Sequence, residues 1–99
     1  MPFMQSYTFD VLVNEAERLI VAELERQLDE KIPDSICLCN DCILDMAAYA
    51  LNLVKPLYRV SLLGSLYTQR AMEWDSYSVS IRQAVSQAIE KISKNPSHD

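Results

Sequence analysis

The sequence predicts a mainly α-helical fold: a three-helix core with a short β-ribbon after the second helix, assembled as a dimer. Three observations point there. The chain holds one glycine in 99 residues, too few for the positive-φ turns of an all-β fold. Apolar side chains recur at three- and four-residue steps over long stretches, the period of helices with one buried face. The length is far below the roughly 250 residues at which a single core begins to split. Residues 1–99 therefore read as one domain, with loose ends at 1–7 and 95–99.

The first helix is expected from Thr8, because Phe9, Leu12, Val13, Ala16, Leu19, Ile20, Leu24 and Leu28 keep the helical step. Thr8 suits the N-cap and Asp10 the first turn. Glu15, Glu17, Arg18, Glu25, Arg26 and Glu30 make the solvated face, and Pro33-Asp34-Ser35 forms the closing turn. The second helix is expected from Asn40 or Asp41, through Ile43, Leu44, Met46, Ala47, Ala50, Leu51 and Leu53, ending before Pro56. Being apolar on nearly every side, it reads as the central element. Asp45 and Asn52, polar on that helix, are expected to hydrogen-bond the loop around Pro56 or the turn carrying the cysteines.

Residues 57–62 alternate with a period of two and read as a short strand. Gly64 marks a turn, with Ser65-Leu66-Tyr67 expected as the returning strand. A ribbon this small needs support from a helix or a second chain. The third helix follows from Trp74, Tyr77, Ile81, Val85, Ala88 and Ile92, and stops by Pro96.

Charge narrows the function classes. The formal net charge is −5, and nucleic-acid binding draws on basic side chains facing phosphates, so no direct nucleic-acid binding is expected. The charge is uneven: residues 1–50 hold ten acids and three bases, residues 51–99 four acids and six bases. The N-terminus lacks the basic and apolar regions of a secretion signal, and no apolar run approaches a membrane span. A cytoplasmic location without membrane insertion is the expectation. The single histidine, His98, lies in the tail, and no Ser-His-Asp or Cys-His pair is suggested, so the chain reads as no enzyme.

The chemically distinctive stretch is Cys37-Leu38-Cys39-Asn40-Asp41-Cys42. Three cysteines within six residues do not make a disulfide framework. Cys39 and Cys42 have the spacing by which a tight turn presents two thiolates to one ion, and Cys42 falls at a predicted helix start, where the dipole favours thiolate. Three soft ligands suit Zn²⁺. A thioredoxin-like redox pair wants a βαβ setting that the pattern lacks, and an iron–sulfur cluster normally wants a fourth cysteine. Buried cysteines without metal stay as the bland alternative. For the fourth ligand His98 ranks first, with water, Asp41 or a group from a second chain as the other options.

Cys37-x-Cys39-x-x-Cys42, followed by Asp45, Ala50-Leu51-Asn52, Pro56 and Tyr58, resembles the late competence development protein ComFB family. Asn14-Glu15 is similar to that family's opening and Asn95-Pro96-Ser97-His98 to its closing Asn-Pro-x-His. The resemblance spans roughly residues 9 to 98. One departure is Lys55, where many relatives carry a second proline beside Pro56. The resemblance implies a small, mainly helical, dimeric zinc protein associated with late competence operons of bacteria, without established enzymatic activity and with a competence-related protein partner. It also implies a second reading, a receptor for cyclic dinucleotide messengers. Such a ligand requires aromatic or guanidinium planes and phosphate donors, for which Tyr58, Arg59, Arg70 and Lys55 are the candidates.

A homodimer is expected on size as well. Two outer helices and a small ribbon cannot cover a second helix that is apolar all round, and Met72, Val79 and Ile89 lie off the main stripe of the third. A two-fold dimer is the simplest closed solution, with the ribbon near Gly64 as the meeting place.

Overall fold

The computed structural model describes residues 2–30, 36–61 and 74–95. In chain order these contain α1 (Pro2–Gln5), a 3-10 turn (Phe9–Val11), β1 (Val13–Asn14), α2 (Glu15–Glu30), α3 (Asn40–Leu51), β2 (Tyr58–Arg59) and α4 (Trp74–Lys94). The mainly helical class with a small two-stranded antiparallel sheet agrees with the sequence reading.

The N-terminal segment departs from expectation. Where a loose lead-in is expected, Pro2–Gln5 form one helical turn, closed by Ser6, whose amide and hydroxyl both donate to the Pro2 carbonyl. The rings of Phe3, Tyr7 and Phe9 pack on one another, with centroids 4.9 to 6.3 Å apart. The first long helix starts at Glu15 and not at Thr8. The apolar period does continue back to Phe9, but Val13 and Asn14 are taken by the sheet. Val13 pairs with Arg59 and Asn14 with Tyr58. The Asn14 side chain then serves two elements: its Oδ1 accepts from the Leu57 amide at 2.8 Å and from the Ala16 amide at 3.1 Å. The second bond satisfies an amide in the first turn of α2, the task of an N-cap. Thr8 makes no capping bond through its side chain.

The ribbon is thus real but differently partnered. β2 pairs with β1 from the N-terminal side, whereas the sequence reading paired it with residues 65–67. Gly64 and Ser65–Tyr67, like Pro33–Ser35 and Met72, lie outside the described residues.

α2 buries Ala16, Ile20, Leu24 and Gln27, the expected apolar stripe plus one glutamine. The Gln27 Nε2 donates to Glu23 and, across the domain, to the Arg82 carbonyl of α4 at 3.0 Å, which is why a polar residue is tolerated there. α3 begins at Asn40, as expected, but the N-cap is Cys39. Its buried column is Cys42, Met46 and Ala50, one residue per turn. α3 is not enclosed on every side, since Leu44 is 59% exposed. Asn52 is exposed and donates to the Ala48 carbonyl of its own helix, not to the Pro56 loop.

α4 buries Tyr77, Ile81, Ala84, Val85, Ala88 and Ile89. Ile89, placed off the stripe by the sequence, is 3% exposed: α4 contacts both α2 and α3, so its buried face is wider than one stripe. Ile20, Leu24, Met46, Ala50, Leu57 and the α4 residues form one core. Along α3 and α4 the contacts run in opposite directions. The Tyr77 hydroxyl donates to the Lys55 carbonyl at 2.6 Å, just past the end of α3, while Gln87, further along α4, reaches Tyr49 inside it. The two helices are antiparallel.

Candidate metal centre

The cysteine cluster forms where an extended segment enters α3. Cys39 has extended backbone angles, φ −69° and ψ 163°, and its Sγ accepts from the Cys42 amide at 3.4 Å. A sulfur fills the capping role that an oxygen usually takes at such a start. Cys42, one turn on, is 1% exposed and heads the buried column of α3, while Cys37 and Cys39 are partly exposed.

The ligand atoms of Cys37, Cys39 and Cys42 all lie within 4.8 Å of one another. Sulfurs around a tetrahedral zinc are separated by about 3.8 Å, given Zn–S bonds of about 2.3 Å, so small side-chain rotations bring the three onto one ion. Among the described residues they are the group of cysteine, histidine and acidic side chains able to hold a metal together. Asp41, weighed as a further ligand, is exposed in the first turn of α3 and is not in that group.

The electrostatics favour the ligating form. The Cys42 backbone N–H, followed by the side chains of Cys37 and Cys42 and the Asp41 backbone, holds the Cys39 thiol below its usual range against the opposing effect of desolvation. Thiolate, not thiol, is what binds metal. Three cysteine sulfurs gathered this closely match a soft or borderline divalent ion, a donor set that suits Zn²⁺.

The other expected site residues separate. Tyr58 is 60% exposed on β2. Its neighbour Arg59 is committed: the Nε donates to the Glu15 carboxylate, which also accepts from Arg18 at 3.2 Å. Glu15, expected on the solvated face, is 8% exposed. The sheet places Arg59 over the start of α2, and the hydrogen bond from Arg59, before all else, holds the Glu15 carboxyl below the usual carboxylate range. Reading each helix alone misses this pair; the signal available was Asn14-Glu15 as a motif. Arg70 and His98 lie outside the described residues. No helix among the described residues is long and apolar enough to cross a membrane.

Among curated proteins none matches the chain. The chain is similar to a solved structure described as the late competence protein ComFB from Bacillus subtilis, with 26% identity and a TM-score of 0.69, covering 87% of this chain and 92% of that one. The family model for the late competence development protein ComFB matches residues 13–96, from β1 through the end of α4 and beyond the cysteine cluster on both sides. The chain belongs to the late competence development protein ComFB family.

Proposed function

We propose that this protein is a non-enzymatic, zinc-binding, homodimeric accessory protein of late competence, acting in the cytoplasm through a competence-related protein partner. One observation carries the reading: three cysteine sulfurs gathered within 4.8 Å at the N-terminus of α3. A zinc ion there ties the extended segment at Cys37 to the head of α3, and so to the core column Cys42, Met46, Ala50. It supplies folding free energy and no bond-making chemistry.

His98 is the proposed fourth ligand. Because α3 and α4 are antiparallel, α4 ends at Lys94 on the side where α3 begins, and His98 follows four residues later in the sequence. The homodimer is supported by the apolar side chains of the N-terminal segment: Phe3, Met4, Phe9, Val11 and Leu12 are all exposed.

The alternative is a cyclic dinucleotide receptor. Tyr58 offers an open ring for a base, but Arg59 is already paired with Glu15. The same arginine would have to leave a buried carboxylate to meet a phosphate, which favours the metal reading.

Protein purified without chelator and measured for metal should carry about one zinc per chain, and serine at Cys37, Cys39 or Cys42 should abolish it. Stoichiometric iron with visible absorption, or no metal at all, overturns the reading. His98→Ala should weaken zinc affinity while leaving the three-cysteine site; unchanged affinity removes the histidine from the ligand set.

A further inference from the structure

We infer that the cysteine cluster is also an oxidation-sensitive latch, in which a hydroperoxide couples Cys39 to Cys42 and expels the metal. The release of metal rests on the zinc reading above; the pairing of the two sulfurs does not.

The geometry selects the pair. Cys39 is the N-cap of α3 and Cys42 lies three residues on, inside the first turn. The Cys39 Sγ is already folded over that turn, accepting from the Cys42 amide, and all three sulfurs lie within 4.8 Å. An N-cap and the third helical residue stand about 5.5 Å apart at Cα, inside the range a disulfide spans without moving the backbone. Exposure assigns the roles. Cys39 is partly exposed and can meet an oxidant from solution, whereas Cys42 is 1% exposed and can meet only a neighbouring sulfur. Cys37, also partly exposed, sits on the extended approach and outside the turn that Cys39 and Cys42 share.

The chemistry balances with the hydroperoxide as the oxidant. The Cys39 thiolate attacks one peroxide oxygen; the O–O bond breaks, the leaving oxyanion takes a proton, and Cys39 becomes a sulfenic acid. The Cys42 thiolate attacks that sulfur; the S–O bond breaks, hydroxide leaves and is protonated to water, and the S–S bond forms. Two thiolates lose two electrons and the hydroperoxide gains them. With Cys39 and Cys42 joined, only Cys37 of the three would remain to hold an ion, and bound metal would be released. Because Cys42 is continuous with Met46 and Ala50, the oxidation state is reported directly to the core column.

The test uses the full-length protein. Metal content is measured first, then hydrogen peroxide is added to the zinc-loaded form with a zinc-chelating dye present, and the linkage is mapped by peptide mass spectrometry. The expected result is release of bound zinc together with a Cys39–Cys42 disulfide, and Cys39→Ala should slow loss of the Cys42 thiol by roughly tenfold or more. The disulfide should form equally in protein stripped of metal, and in Cys37→Ser, so a failure of the zinc reading leaves the pairing measurable. Zinc retained through full oxidant treatment, or a linkage that includes Cys37 or joins two chains, overturns the inference.

Discussion

The two ends of α3 are held by different chemistry. Its C-terminal end runs into a clamp made by three other elements. The Lys55 carbonyl accepts from Tyr77 of α4, the Leu57 amide donates to the Asn14 side chain, and the Leu57 carbonyl accepts from the Glu15 amide at the start of α2. At the N-terminal end the Cys42 amide donates to the Cys39 sulfur at 3.4 Å. Sulfur is a weak acceptor, so this end is held by a sulfur cluster whose strength a bound ion would multiply. The contrast teaches where this small domain is conditional. One end of its third helix is secured by backbone and amide groups that do not change with conditions. Under the zinc reading and the latch proposed above, the other would depend on metal and redox state.

Breaking what the two ends share should have the largest effect. Met46, fully buried at the middle of α3, holds both, and Met46→Ala should lower unfolding free energy by about 2–5 kcal/mol in chemical denaturation. Breaking only the C-terminal clamp comes next. Asn14→Ala orphans the Leu57 and Ala16 amides and should cost about 1–3 kcal/mol. Hydrogen exchange should then quicken around residues 55–58 and stay slow at Cys42.

Beside the clamp, the Glu15–Arg59 pair titrates. Glu15 has its folded-state pKa depressed, chiefly by the hydrogen bond from Arg59. Its contribution is therefore complete above the unfolded carboxylate value of about 4.3 and is lost as pH falls through the lower folded value. Thermal melts should show stability falling below that pH, and Glu15→Gln should flatten this part of the profile by about 1.5 kcal/mol, the low end for a hydrogen bond to a charged group. The smallest effect should lie at the other end. In metal-free protein Cys39→Ala removes a sulfur cap and should cost about 0.5 kcal/mol, at the low end for caps. If it costs as much as Asn14→Ala, the two ends are equally secured and the contrast is wrong.

What the sequence determined by itself is the local part. The helical period placed α2, α3 and α4 and most of the buried positions, because amphipathic spacing is written residue by residue, and capping residues put the start of α3 at Asn40 or Asp41. The cysteine spacing likewise marked Cys37, Cys39 and Cys42, since ligands on one tight turn are neighbours in sequence and in space. Tertiary structure decided everything that required a partner far along the chain. The apolar rhythm from Phe9 to Leu28 looked continuous, yet pairing of Val13–Asn14 with Tyr58–Arg59 ended it at Glu15. That same pairing brought Arg59 to Glu15 and buried a carboxylate that its own helix would have left in water. Ile89 went inside because α4 meets two helices at once, and no single helix carries that information. Periodicity reports one element's preference for a buried face, whereas strand pairing and ion pairing are settled by which distant backbone and charge come to stand opposite.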